Sequence, residues 1–393
     1  MGGYLGLAGR RLLASLFALF PLCGTAAPLY SLTPLPTLID PNQGGTVTAW
    51  DVNNAGQVAG TARGWVQRSD GSQYVDDLAF YWSASSGMQV LRPLKDPGGN
   101  GRGFAINQAG YVVGSSTPAN DLLPGHHPTA WNAADPNTPT ELSVLGYNAG
   151  TAYGVNDDFF GSALAVGHVD SGTQGMVWSL TDGSVYSSLA NAVFVDINDA
   201  GQIVGSLKGN NSGLLWQMAD GGGLGAAQSL GLLPGAPDNR PAAINELGQV
   251  VGQSGSWAYL WDPVGGIRDL GSVNVDDLGA EALDINDAGQ VVGRFRNSSA
   301  NSGAFLWSEA GGMLSLTDLI DPSDPLYGLV SLQTANAIND NGWIVATDGG
   351  GGSYLLTPTA VVPLPAAAWL FLSGLAGLLG LASRRRRGGG THR

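Results

Sequence analysis

Asp196-Ile197-Asn198-Asp199-Ala200-Gly201 is the stretch that decides the fold, because the chain repeats it. The full phrase is a small residue, then Ile or Val, then Asn-x-x-Gly-x-Val-Val-Gly. It begins at Asp51 (with Asn53 and Gly56), at Ala105 (Asn107, Gly110), at Asp196, at Ala243 (Asn245, Gly248), at Asp284 (Asn286, Gly289) and at Ala337 (Asn339, Gly342). A looser copy with a longer turn runs from Tyr153 through Asn156 to Gly167, which makes seven. The shared Asn residues are 54, 49, 42, 47, 41 and 53 residues apart, so the period is that of a repeat architecture.

Asn-x-x-Gly between two short β-prone runs is a type I turn closed by a glycine in the left-handed region. The Asn side chain accepts from the turn backbone, and the Gly takes positive φ without a steric cost. The phrase is therefore a β-hairpin. A second phrase follows each copy: Phe80-Tyr81-Trp82, Ala130-Trp131, Val177-Trp178, Leu215-Trp216, Leu260-Trp261 and Leu306-Trp307, with Tyr354 replacing Trp in the seventh. It reads as a third strand, with the tryptophans packing between neighbouring units. A third phrase, such as Ile267-Arg268-Asp269-Leu270-Gly271 or Leu314 to Leu319, reads as a fourth strand. Four short antiparallel strands per 40–50 residues is a blade, and seven blades make an all-β propeller. The seventh copy lacks its fourth strand, and Leu29 to Leu35 resembles one, so the N-terminal strand would complete the last blade. Pro34 and Pro36 suit an outer edge. The alternative, an open β-solenoid, fits poorly with variable repeat lengths.

Composition agrees. The chain has 61 Gly among 393 residues and a formal net charge of −14. No helical period is sustained between Pro28 and Thr359.

The two ends read as processing segments. Arg10 and Arg11 precede the apolar run Leu12 to Leu22, and Gly24-Thr25-Ala26 offers cleavage after Ala26. Pro28 disfavours the cut after Ala27. Residues 1–26 are thus a signal peptide, and Cys23, the one cysteine, leaves with it. Leu22 before it argues against a lipidated cysteine. At the other end stand Val362-Pro363-Leu364-Pro365-Ala366, an apolar run of 17 residues from Ala366 to Ala382, and Arg384, Arg385, Arg386 and Arg387. At about 1.5 Å per residue the run reaches roughly 25 Å, a marginal span. The arginines belong on the cytoplasmic side. The run is either a permanent anchor or one removed after the motif is read.

This tail resembles a PEP-CTERM sorting signal of the variant with Val-Pro-Leu-Pro-Ala at its core. The resemblance implies a Gram-negative bacterium, export, transient holding in the inner membrane, and cleavage near the motif by an exosortase-type protease. The internal phrases resemble the HAF repeat of extracellular bacterial proteins, which implies export and no established reaction. The expected organisation is a signal peptide (1–26), a propeller (27–358), a linker with sorting motif (359–366), a transmembrane helix (366–382) and a basic cytoplasmic tail (383–393).

Without the two ends the net charge is 10 minus 31, or −21, which disfavours nucleic acid and anionic lipid. The candidate chemistry is sparse. Asp51, Asp196 and Asp284 open Asp-x-Asn-x-x-Gly like a calcium loop. The fifth position, however, is Ala55, Ala200 or Ala288, and the twelfth after Asp196 is Leu207, so turn chemistry accounts for them. His126-His127 with Asp121 sits among loop residues and reads as no metal site. The doublets Asp76-Asp77, Asp157-Asp158 and Asp276-Asp277 could serve glycoside cleavage but read as solvated loop residues. No nucleophile elbow, zinc helix or phosphate loop is present. No cofactor, metal or catalytic set is expected. Trp65, Trp257 and Trp343 lie outside the repeat phase and are the candidates for stacking on a ligand.

These observations support a non-enzymatic exported protein that binds or scaffolds in the extracellular matrix or at the cell surface. A lectin-like propeller with an extracellular polysaccharide as partner is the alternative. A secreted hydrolase is the least supported class.

Overall fold

The computed structural model describes residues 28–359, apart from 120–124, 171, 210–211, 220 and 298–301. Signal cleavage at Ala26 and Ala27, the sorting motif, the apolar run and the arginines lie outside the described residues, as does Asp121. Among the described residues, no helix is long and apolar enough to cross a membrane.

Seven four-stranded antiparallel sheets are arranged as a propeller. The first strands of the blades are Val47–Val52, Gly101–Ile106, Gly150–Val155, Ala192–Ile197, Asn239–Ile244, Asp277–Ile285 and Leu332–Ile338, and each touches the next in a closed cycle around the axis. The seventh sheet runs Leu332–Ile338, Ile344–Asp348, Ser353–Pro358 and then Tyr30–Pro34, so the N-terminal strand is its outer edge as the sequence suggests. Tyr30 pairs with Pro358 and Pro34 with Tyr354. Asp324 pins this strand: its carboxylate accepts from the Leu32 N–H and the Ser31 hydroxyl, both at 2.8 Å. The fourth strand of the sixth blade is Gly312–Ser315, shorter than Leu314 to Leu319 suggests, because the chain turns into a 3-10 segment at Thr317–Leu319.

The turn chemistry holds in detail. In the first blade the Gly56 N–H donates to the Asn53 carbonyl at 2.9 Å, and Asn53 Oδ1 accepts from the N–H groups of Ala55 and Gln57. Gly56 has φ +73°, a conformation that other residues enter at a cost. In the third blade the turn is longer, yet Asn156 Oδ1 still accepts from the Leu164 N–H at 2.8 Å.

Every first strand carries a β-bulge at the same place, three residues before the shared Asn: Trp50, Phe104, Tyr153, Val195, Ala242, Leu283 and Asn336. The bulge brings a carbonyl close to the second strand. A Cβ on Gly114 would overlap the Arg102 carbonyl, which explains the glycine that ends six of the seven copies; the seventh carries Ala346 there.

Seven apolar clusters fill the seven interfaces between blades. Trp131 of the second blade packs with Ala59, Ala79 and Tyr81 of the first. Trp178 reaches back to Val113 and Ala130, and Trp307 to Val251 and Leu260. The interfaces make the core, and each buried tryptophan contributes about 2–3 kcal/mol. The indole N–H is not stranded: Trp131 donates to the Arg92 carbonyl at 2.7 Å and Trp178 to the Ser143 carbonyl at 2.8 Å.

Candidate functional site: the two mouths of the axial channel

The first strands all run toward the Asn turns, so the channel has a turn mouth and an opposite mouth. At the turn mouth the Asn residues do more than hold their own hairpins. Asn53 Nδ2 donates to the Asn107 carbonyl, Asn107 to Asn156, Asn156 to Asn198, Asn198 to Asn245, Asn245 to Asn286, Asn286 to Asn339, and Asn339 back to Asn53. The bonds run from 2.8 to 3.4 Å and form a closed ring through all seven blades. All seven Asn are buried. Each side chain thus satisfies the turn with its oxygen and fastens the next blade with its amide.

The following residue makes a second closed ring. The backbone N–H of Asn54 donates to Gln108 Oε1, Gln108 to Asp157, Asp157 to Asp199, Asp199 to Glu246, Glu246 to Asp287, Asp287 to Asp340, and Asp340 to Asn54 Oδ1. Five of these seven acceptors are carboxylates. At the seam between the seventh and first blades, Asn54 Nδ2 also donates to Asp340 at 2.8 Å.

Below these rings stand Asp51, Asp196 and Asp284. Each accepts from the following residue's N–H and from an N–H in the next blade: Ile106, Ile244 and Ile338 respectively, at 2.7 to 2.9 Å. The next blade carries Ala105, Ala243 or Ala337 at the matching position, so three Asp–Ala pairs span six blades. The third blade has Gly154, where a Cβ would press against Asp196. These aspartates are interblade clamps, not turn residues, which corrects the sequence reading of their role.

The crowding of carboxyls has a charge consequence. Burial pushes Asp51 up to about 6 and Asp196 up to about 7, and Asp284 is raised well above the ordinary carboxylate range by burial and by Asp51. Burial, with Asp199, Asp287 and Asp157 nearby, pushes Glu246 up to about 7. Burial and Asp199 also raise Asp157. A cavity of about 220 Å³ opens at this mouth. Among the described residues no group of three His, Cys, Asp or Glu side chains is placed to hold a metal ion.

The opposite half of the channel is different. The bulged residues of the first three blades are all aromatic and meet in an arc. Trp50 lies 5.8 Å from Phe104, Phe104 5.4 Å from Tyr153, and Tyr153 stacks on His168 at 5.3 Å, centroid to centroid. Trp50 is 38% and Tyr153 36% exposed, so ring surface is open to solvent. Trp50 and Phe104 line a cavity of about 180 Å³ with Arg63, Asp77 and Arg102. A larger cavity of about 510 Å³ lies between the fifth and sixth blades, lined by Arg240, Glu281, Arg294 and Arg296. Arg102 pairs with Asp77 at 2.7 Å and Arg294 with Glu281 at 2.6 Å.

The residues singled out from sequence are dispersed. Trp343 is at the turn mouth, its ring over Gly56, and packs into the cluster between the seventh and first blades. Phe159 packs over Gly201 in the same way. Trp65 is exposed on the long first-blade hairpin beside Val90, and Trp257 sits beside Leu233 and Pro234 in the fifth blade. No two of the three meet. The acidic doublets stand in the first, third and sixth blades and are engaged locally: Asp76 with Asn100, Asp158 with the Gly161 N–H, Asp277 with the Asn274 N–H. His127 is buried and pairs with Glu141. The aromatic arc was not singled out from sequence, although its members share one repeat position, three before the Asn.

No family model matches the chain, and no curated protein matches it. Solved structures do. A catalytically inactive virginiamycin B lyase from Staphylococcus aureus with quinupristin superimposes with a TM-score of 0.53 at 11% identity, covering 84% of this chain and 100% of that one. The WD40 propeller domain of Doa1 gives 0.45 at 11% identity over 84% and 98%. Prolyl oligopeptidase B from Galerina marginata gives 0.44 at 11% identity over 77% and 47%. At this identity the likeness shows the fold: the protein is a seven-bladed β-propeller.

Proposed function

We propose that this is an exported, non-enzymatic binding propeller, delivered outside the cell by its Val362–Ala366 sorting motif and acting as a binder or scaffold in the extracellular matrix or at the cell surface. The tail supplies the delivery. Its apolar run from Ala366 to Ala382 holds the chain in the inner membrane, Arg384 to Arg387 stop transfer, and an exosortase-type protease cuts near the motif. The last strand ends at Pro358 and the apolar run begins at Ala366, so the propeller lies against the membrane until it is released.

The binding role rests on one observation: the clamp aspartates Asp51, Asp196 and Asp284 are taken up by backbone N–H groups of neighbouring blades, whereas at the other mouth Trp50, Tyr153, Arg63 and Arg102 leave side-chain surface open to solvent. Such groups hold a ligand by stacking and by charge-assisted hydrogen bonds. Mass spectrometry of the mature C-terminus in cells with and without the sorting protease tests the delivery. Loss of the arginine tail only where the protease is present is expected. Persistence of the tail in both overturns the proposal.

A further inference from the structure

We infer that the mouth opposite the Asn turns is a binding site for an acidic polysaccharide, a chain of carboxylated sugars. The inference rests on the binding role proposed above and names its ligand class. Three features of that mouth converge on it.

The first is shape and surface. Trp50, Phe104 and Tyr153 present a row of rings on three consecutive blades, about 5–6 Å apart. A sugar ring has C–H groups on its faces and hydroxyls on its rim. Its face stacks on an aromatic plane while the rim stays wet, and a row of rings suits a polymer better than a single sugar. Thr48 lines the same cavity and supplies a hydroxyl.

The second is charge. Arg63, Arg102, Arg240, Arg294 and Arg296 line the two cavities of this mouth, with Asp77, Asp238 and Glu281 beside them. The lining of the two cavities carries five arginines against two carboxylates, Asp77 and Glu281, on a chain whose net charge without its ends is −21. The carboxylates fix the guanidiniums rather than exhaust them, since each Arg has five N–H donors and a bidentate carboxylate engages two of them. Planar guanidiniums match a sugar carboxylate in a bidentate way.

The third is polarity of the whole molecule. The turn mouth gathers the ring carboxylates of Asp157, Asp199, Asp287 and Asp340, and would repel an anionic polymer. Such a polymer is steered to the arginine mouth. The two cavities lie between the first and second and between the fifth and sixth blades, on opposite sides of the axis, so one chain crossing the mouth reaches both.

The test is affinity electrophoresis of the full chain, solubilised in a neutral detergent, through gels containing polygalacturonate or the same polymer after reduction of its carboxyls. Polygalacturonate is expected to retard the protein, with retardation falling as salt is raised. The reduced polymer is expected to bind at least about tenfold more weakly. Trp50→Ala should weaken binding roughly tenfold and Trp50→Phe should restore most of it. The double variant Arg63→Gln with Arg296→Gln, two exposed positions with unchanged melting, should weaken binding and flatten the salt dependence. Equal retardation by the reduced polymer overturns the acidic class while leaving a binding propeller standing. Wild-type affinity in both the Trp50 and the double-arginine variants overturns the site. No retardation by either polymer overturns the inference whatever the tail is found to do, because C-terminal processing is measured separately.

Discussion

The two mouths of the channel are built from the same seven strands and divide their work. At the turn mouth the repeat is strict. Asn stands at every copy, the next residue is always a side-chain acceptor, and the result is two closed rings of hydrogen bonds. At the opposite mouth the repeat is loose. The bulge recurs in every blade, but its residue runs from Trp50 through Val195 to Asn336. Strictness marks the positions whose partners are other copies of the repeat. Freedom marks the positions whose partners lie outside it. A propeller has no single core, so closure must be enforced at every interface, and a polar ring that reads blade to blade does this where apolar packing is not directional.

The largest effect should come from breaking the turn-mouth ring. Asn198→Ala removes a buried amide donor to the Asn245 carbonyl and a part-buried acceptor for the Gln202 N–H. A loss of about 3 kcal/mol is expected, and with it a drop in melting temperature of about 4–5 °C by calorimetry. An effect under about 1 kcal/mol would mean the ring is decorative.

Next in size is the response to pH. Asp51, Asp196 and Glu246 have native values near 6 to 7 against ordinary values of 3.8 and 4.5. Raised groups add stability that is complete below the ordinary value and is lost as pH rises through the native one. Melting temperature should therefore rise as pH falls from 8 to 5. The opposite case is Asp324. Burial pushes its carboxyl up, but the hydrogen bonds from Leu32, Leu326 and Ser31 outweigh that and hold it below 3.8. Its contribution is present above 3.8 and lost below it, so the rise should end near pH 4. Asp196→Asn and Glu246→Gln together should flatten the slope between pH 5 and 8. A slope unchanged in that double variant would assign it elsewhere.

A smaller loss, about 2 kcal/mol, is expected for Asp324→Ala, which frees the Tyr30–Pro34 strand from the seventh blade. Limited proteolysis should then cut near the N-terminal strand before any other blade. The smallest effect on stability belongs to Trp50→Ala at the opposite mouth, within about 1 kcal/mol because the ring is partly in water already. If Trp50→Ala melted as low as Asn198→Ala, the two mouths would not differ in kind.

Much of this was legible in the sequence. Seven copies of one phrase gave seven blades, the orphan strand at Leu29–Leu35 closed the last one, and the phase of the tryptophans placed them at the interfaces. Asn53 and Gly56 spell out the turn, but only half of what Asn53 does. Its oxygen serves a residue four positions away, which spacing shows. Its amide serves Asn107, 54 residues away, which only the curvature of the closed ring brings near. The clamp aspartates were missed for the same reason: Asp196 is local to Asn198 in sequence, yet its second oxygen meets Ile244. The aromatic arc was hidden differently. Trp50, Phe104 and Tyr153 occupy one register position, but four other blades fill it with unlike residues, so no phrase appears. The three tryptophans chosen for being out of phase proved to be separate in space, because falling outside a repeat says nothing about proximity.

The most direct test of blade-to-blade fastening is hydrogen exchange at the turn amides of Gln108, Asp157, Asp199, Glu246, Asp287 and Asp340. An N–H at the tip of a β-turn in a lone hairpin exchanges quickly, whereas here each donates to a side chain of the next blade. All six are expected to be protected at pH 6, and Asn198→Ala to speed their exchange together. Exchange at the rate of free turns in the intact protein would contradict blade-to-blade fastening.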